Sequence, residues 1–208
     1  MIQKIIHQIW IGPNEMPEKC KDYINSVKEH NKDYEHILWT NETIPELPEK
    51  VKIQFDKYGN KKKWAFQADV LRYFLINKYG GVYMDADFQC FQHLPDITNT
   101  TMFFCKPNLC GHWITNCIFG SVKDNPFFEK ILSEMKHEPY HGPIFLSNEL
   151  KKFYNLKIGK ATSLLDFGNI LTQNGIKVFE PIYFFSKNPK HNRYAYHHAH
   201  GSWIQRKK

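Results

Sequence analysis

The stretch from Trp64 to Asp87, "WAFQADVLRYFLINKYGGVYMDAD", constrains the fold of this chain more than any other. Its first part is apolar nearly all round, which predicts a helix buried on all sides. Gly80 and Gly81 supply the stop, because a helix end commonly needs a residue at positive φ. "VYM" then reads as a short strand, and Asp85 and Asp87 stand at its carboxyl end. Two charges interrupt the helix itself. Asp69 and Arg72 share one stripe with Ala65 and Ile76, at i, i+4, i+7 and i+11. A charged pair on a buried helix is costly. It is either an internal ion pair or a pair that faces a polar ligand.

The flanking segments predict what this unit packs into. "KIIHQIWI" is β-branched and ends at Gly12–Pro13, so it reads as a strand. "PEKCKDYINSVKEHN" opens on proline and carries Tyr23, Ile24 and Val27 at helical spacing. "YEHILWT" is a second strand, and "TNETIPELPEK" is a loop broken by prolines. Further on, "TMFFCKP" and "NCIFGSV" read as strands. "NPFFEKILSEMKH" and "GPIFLSNELKKFYN" read as helices, and "IKVFEPIYFFS" and "YAYHHAH" as late strands. The expected fold class is α/β: one open, mainly parallel sheet with helices on both sides, over a single domain spanning 1–208. The chain is either a complete small protein or one domain of a longer one. Sheets of this kind bind ligands at the carboxyl ends of their strands.

That edge is where the aspartates lie. Two Asp residues at i and i+2 in extended chain point to the same side and repel each other. A hard divalent cation removes the conflict. Mg²⁺ and Mn²⁺ take oxygen ligands and share them with phosphate oxygens, so an apolar strand followed by D-x-D suits a metal–diphosphate. "YAYHHAHGSW" places His197, His198 and His200 close together, and in extended chain His198 and His200 share a face. Imidazole suits Mn²⁺ better than Mg²⁺. Trp10, at the end of the first strand, is placed to stack on a nucleobase, although a core tryptophan is the commoner role.

Taken together and in order, "KIIHQIWIG", "ILWT", "ADVLRYFLINKYGGVYMDAD" and "HHAHGSW" resemble glycosyltransferase family 32, the DXD-containing sugar transferases. They are more distantly similar to the catalytic domains of clostridial glucosylating toxins. The blocks run from Ile5 to Trp203. The resemblance implies a GT-A fold, a nucleoside-diphosphate-sugar donor (a UDP-sugar on the toxin-like pattern), Mn²⁺ or Mg²⁺, and a glycan or glycoconjugate acceptor. It implies that Trp10 stacks on the donor base with the Ile9 backbone nearby, and that Asp69 and Arg72 hydrogen-bond the donor sugar. Asp85, Ala86 and Asp87 match the DXD, with Asp87 the more direct metal ligand. His198 matches the position that completes the metal site. Trp203 matches the aromatic that caps the diphosphate, with Ser202 beside it. Relatives commonly read His-His-Trp where this chain has His197–His198–Ala199, so one aromatic wall of the expected cleft is missing.

Two other classes compete with this reading. A nucleotidyl- or phosphotransferase would use the same aspartates, but no GxxxxGK[ST] or GxGxxG supports a phosphate loop. A nucleic-acid-binding module would suit the formal charge of +7. It calls for basic and aromatic residues interleaved on one surface. Here the charge is scattered, with short runs at Lys61–Lys63 and Arg206–Lys208, so no nucleic-acid partner is expected. The five cysteines, Cys20, Cys90, Cys105, Cys110 and Cys117, are odd in number, irregularly spaced and without CxxC. They read as free thiols of a reducing compartment. No signal peptide or spanning apolar run is visible. The expected location is cytoplasmic, with peripheral membrane contact allowed by the charge.

Overall fold

In the computed structural model, residues 1–97, 99–106, 114–135, 141–155, 171–172, 175–186 and 194–199 are described. A six-stranded sheet forms the centre, in the order β2 (Glu35–Trp39), β1 (Ile5–Ile9), β3 (Gly81–Met84), β6 (Ile118–Ser121), β5 (Met102–Cys105) and β7 (Lys177–Phe179). β1 runs parallel to β2 and β3, and β5 parallel to β7. Only β6, between β3 and β5, runs against the others. The mainly parallel α/β sheet expected from the sequence is therefore present, with one reversed strand. Among the described residues, no helix is long and apolar enough to cross a membrane.

Side chains alternate across this sheet and feed two cores. Tyr83, Phe104 and Phe119 point to one face, where α2 (Glu49–Asn60), α3 (Trp64–Tyr79), α4 (Pro126–Glu134) and α5 (Pro143–Phe153) pack. Val82, Met84, Phe103 and Cys105 point to the other. There Val27 of α1 (Glu18–His30) meets a two-stranded ribbon of β4 (Phe88–Cys90) and β8 (Ala195–His197). This is the period-two logic of strands buried on both faces.

The central strand β1 buries two polar residues, and each is satisfied. His7 lies at 2.9 Å from the Gly80 carbonyl and accepts a hydrogen bond from the Trp39 indole at 3.1 Å. Burial lowers its pKa to about 4, so the ring is neutral, with Nδ1 accepting and Nε2 donating. Gln8 donates to the Asp85 carbonyl at 3.2 Å, which ties β1 to the aspartate turn.

Helix α3 is the buried helix that the sequence predicts, and it ends as predicted. Gly80 takes φ 69° and returns its N–H to the Ile76 carbonyl, while Gly81 takes φ 95°. A Cβ on Gly81 would stand 2.5 Å from the Ile5 carbonyl oxygen, so only glycine lets β3 begin against β1.

Elsewhere the structure departs from the expectations. α2 was not foreseen, although Val51, Gln54, Phe55 and Tyr58 form its buried stripe. β4 was also missed. The strand expected over "IKVFEPIYFFS" stops at Phe179, where Pro181 opens a 3-10 turn (Pro181–Tyr183). The two aspartates do not lie on extended chain. Asp85 to Phe88 form a turn, closed by the Phe88 N–H on the Asp85 carbonyl at 3.2 Å.

Candidate active site

The aspartate turn leaves the carboxyl end of β3 and leads directly into β4. β4 pairs antiparallel with β8, with Phe88 opposite His197. This pairing carries a residue more than a hundred positions away to the turn. His197 Nε2 lies 3.0 Å from Asp87 Oδ1 and 3.7 Å from Asp85 Oδ2. Its ring stacks on Phe88 at 4.6 Å, which fixes the imidazole plane. Burial works against a charge on His197. Cys117 and Asp87 beside it outweigh that and raise its pKa to about 11.

Asp85 is clamped from behind. Its Oδ1 accepts from the Tyr83 hydroxyl at 2.5 Å and lies 3.3 Å from the Arg72 guanidinium. Its backbone N–H is bound by the Cys117 carbonyl at 2.9 Å. Burial pushes the Tyr83 phenol well above its ordinary pKa, so it stays a donor. Burial also raises the Asp85 carboxyl, as does the charge of Asp87, while Arg72 works the other way. With Oδ1 occupied, Oδ2 is the oxygen on the His197 side.

Arg72 is the hub of the network. It reaches Asp69 Oδ1 at 3.4 Å, donates to the Asn116 carbonyl at 2.6 Å and lies over the Tyr83 ring at 4.5 Å. Asn116 in turn donates from its side-chain amide to Asp69 Oδ1 at 2.8 Å and to the Tyr73 hydroxyl at 3.3 Å. The side chains of Arg72 and Asp69 are 8% and 10% exposed. The two side chains thus pair with each other, and through Arg72 the pair is wired to the first aspartate of the DXD, as either role expected for it requires.

The remaining expected site residues divide into three groups. Ile9 is in the core at the end of β1, and Trp10 follows it, half-buried, with its indole N–H on the Asn14 carbonyl at 3.0 Å. Because β1 and β3 are parallel neighbours, Trp10 stands at the same sheet edge as Asp85 and the buried Ala86. His198 departs from expectation. Its ring stacks on Tyr23 at 4.1 Å, with its nitrogens 3.3 Å from the Tyr23 hydroxyl and 3.1 Å from Gln89 Oε1. The β4–β8 register turns His197 toward the aspartates and His198 to the opposite side. Ser202 and Trp203, with His200, lie outside the described residues. Sequence reasoning missed Tyr83, Asn116 and His197. Only His197 carried a signal, as a member of the histidine cluster.

The residues that converge on the turn fit a divalent cation by their chemistry. Two carboxylate oxygens and one imidazole nitrogen form a borderline-hard donor set, and Mn²⁺ accepts it more readily than Mg²⁺. The 3.0 Å spacing of Asp87 Oδ1 and His197 Nε2 is about that of neighbouring ligands around an octahedral ion with bonds of about 2.1 Å.

Comparison with known proteins bears on what this arrangement serves. Residues 17–104 match a family model described as a glycosyltransferase sugar-binding region containing a DXD motif. Mannosyl phosphorylinositol ceramide synthase SUR1 of Saccharomyces cerevisiae is 32% identical, with 88% of this chain and 48% of that protein aligned. Inositol phosphoceramide mannosyltransferase 3 of Schizosaccharomyces pombe is 33% identical, over 70% of this chain and 44% of that protein. The chain thus spans about half the length of the curated relatives it matches. Among solved structures, the PaToxG glycosyltransferase superposes with a TM-score of 0.63 at 20% identity, covering 74% of this chain and 70% of that one. The UDP-bound glycosyltransferase domain of the YGT toxin gives 0.54 at 13%, covering 85% and 68%. At those identities the likeness is one of fold. With its motif region and its curated relatives in agreement, and a GT-A fold around them, the chain carries the sugar-binding region of the DXD-containing glycosyltransferases.

Proposed function

We propose that the chain is one catalytic domain that transfers a sugar from a nucleoside-diphosphate-sugar to a glycan or glycoconjugate acceptor, with a divalent cation at the DXD. The observation that carries this reading is that His197 Nε2 lies 3.0 Å from Asp87 Oδ1 and 3.7 Å from Asp85 Oδ2 at the carboxyl edge of the sheet. Asp87 Oδ1, Asp85 Oδ2 and His197 Nε2 would hold the ion, the imidazole giving up its proton as the ion replaces it. When bound, Mn²⁺ or Mg²⁺ supplies Lewis-acid stabilisation of the departing diphosphate.

The chain's own residues do the rest. Tyr83 and Arg72 fix the Asp85 carboxylate, so that its free oxygen needs little reorganisation on binding. Trp10 stacks on the base beside the Ile9 backbone, and Ala86 brings backbone to the donor. Asp69 contacts sugar hydroxyls, with Arg72 holding it in place, and thereby orients the anomeric carbon. Ser202 and Trp203 are assigned to the diphosphate on the strength of the sequence resemblance.

The donor base is proposed to be uracil, from the toxin-like pattern around Trp10. The mannosyl names of the curated relatives favour a second reading, in which the sugar is mannose and the acceptor an inositol-phosphate lipid headgroup. A donor screen separates them. Each nucleotide sugar is added with Mn²⁺, and both melting temperature and release of nucleoside diphosphate are read. A donor present at about 100 times its Kd adds roughly 2.7 kcal/mol of stability, a clear shift. Tighter binding of UDP than of GDP supports the first reading, and the reverse supports the mannose donor. A protein that neither shifts nor releases nucleotide with any donor would overturn the proposal.

A further inference from the structure

A further potential ligand lies beside two of the three already named, Asp85 and His197. Cys117 immediately precedes β6, and its carbonyl already binds the Asp85 N–H at 2.9 Å. Its Sγ, a carboxylate oxygen of Asp85 and a ring nitrogen of His197 all lie within 4.8 Å of one another. Cys117 is 7% exposed, so water competes little for it. Thr115 Oγ1 sits 2.9 Å from the sulfur. Cys20, Cys90 and Cys105 are also buried. Among the described residues, however, no other cysteine joins a group of this kind.

We propose that Cys117 is a sulfur ligand of the cation site, making it a mixed oxygen, nitrogen and sulfur site that selects softer divalent ions over Mg²⁺. Cys117 has this role only if Asp85 and Asp87 hold a cation, as proposed above. Oxygen and nitrogen ligands stand about 2.0–2.2 Å from a borderline ion and sulfur about 2.3 Å, which spaces tetrahedral neighbours roughly 3.3–3.8 Å apart. Asp85 Oδ2 and His197 Nε2 are already 3.7 Å apart. The sulfur therefore closes the set with Asp85 and His197 by a movement of at most roughly 1–1.5 Å, within the reach of a small side-chain adjustment. Mg²⁺ gains almost nothing from a thiolate, whereas Mn²⁺, Co²⁺, Zn²⁺ and Cd²⁺ gain progressively as softness increases. Cys117 would thus decide which ion the enzyme carries, and would expose it to capture by Zn²⁺ or Cd²⁺.

The test is optical and needs no turnover. Co²⁺ is titrated into the full chain while the thiolate-to-cobalt charge-transfer absorption is followed in the near ultraviolet. Mn²⁺ and Mg²⁺ binding are followed in parallel by thermal shift, with and without UDP. The expected result is a charge-transfer band that saturates at one equivalent. It should be lost in Cys117→Ser and in Asp85→Asn, and the preference for Mn²⁺ over Mg²⁺ should narrow severalfold in Cys117→Ser. Co²⁺ that stabilises the wild-type protein without a band overturns the role of Cys117 but leaves the carboxylate site standing. A band that survives either substitution assigns the sulfur elsewhere and also overturns it. No shift with any ion, with or without UDP, removes both this role and the cation reading beneath it. Because the wild-type spectrum alone can refute the proposal, a poorly folding variant does not protect it.

Discussion

Replacing Arg72 with methionine should destabilise the fold by about 3–5 kcal/mol at neutral pH, the usual penalty for stranding buried charge. The guanidinium lies between Asp69 and Asp85, donates to the Asn116 carbonyl and covers the Tyr83 ring, with 8% of its side chain exposed. Methionine keeps most of the volume and none of the charge. Two carboxylates would then lose the cation between them, keeping only the neutral donors Asn116 and Tyr83 and the more distant His197, and the Asn116 carbonyl would lose its donor. For a chain of this length the loss corresponds to roughly 6–20 °C in melting temperature. The pH dependence gives the sharper signature. Burial already raises Asp69 and Asp85 above the ordinary 3.8, and Arg72 restrains that rise. Without Arg72 both rise further, so the folded chain binds more protons than the unfolded one. Stability contributed by a raised carboxyl is fully present below 3.8 and lost as pH climbs through the folded-state value. The deficit of the variant should therefore be greatest at about pH 8 and shrink toward about pH 5. Urea unfolding followed by circular dichroism at both pH values measures it. A variant within about 1 kcal/mol of wild type at neutral pH, or a deficit that ignores pH, would refute the hub role given to Arg72.

Asp69→Asn should behave differently: its carbonyl can still accept from Asn116, and Arg72 keeps Asp85. Stability should change by about 1 kcal/mol or less, nucleotide affinity should hold, and turnover of the intact donor should collapse. Equal loss of stability and turnover would return Asp69 to a purely structural role. His197→Ala should abolish most of the Mn²⁺-induced thermal shift, whereas His198→Ala should retain it. The latter should cost about 0.5–1.5 kcal/mol from the lost Tyr23 stack. Retention by the first and loss by the second would reverse the assignment. Gly81→Ala forces a Cβ toward the Ile5 carbonyl at positive φ and should cost at least about 1–3 kcal/mol, read as a lowered melting temperature. A wild-type melting temperature would show that β3 can start without glycine.

Much of this site is legible in the sequence because the helix, the glycine stop and the aspartate pair are contiguous. Local spacing alone puts Asp69 and Arg72 on one stripe and Asp85 at a strand end. What local spacing does not contain is the partner of each charge. The β4–β8 register decides between His197 and His198, and β4 is three residues long, too short for any periodicity to announce. Alternation in extended chain singles out His198 with His200, and the paired ribbon turns His197 inward instead. Asn116 precedes a strand like many other asparagines, and only the fold carries it to Asp69. α2 is a different kind of miss. Its stripe is present in the sequence, but the two prolines ahead of it mark a loop and hide the start of the helix at Glu49. The D-x-D alone also leaves a phosphotransferase open, and the match of residues 17–104 to a glycosyltransferase region decides that question.

The cation dependence of donor cleavage tests the central claim most directly. Release of nucleoside diphosphate from the donor that shifts melting most is measured with Mn²⁺, with excess chelator, and with Asp87→Asn in place of the wild-type chain. Asp87 stands 3.0 Å from His197, so its amide variant keeps an acceptor there and should stay folded with a modestly lowered melting temperature. The expected result is turnover by the wild-type protein with Mn²⁺, none in chelator, and loss of most activity in an Asp87→Asn that is still folded at the assay temperature. Full turnover in chelator, or by Asp87→Asn, would contradict the account.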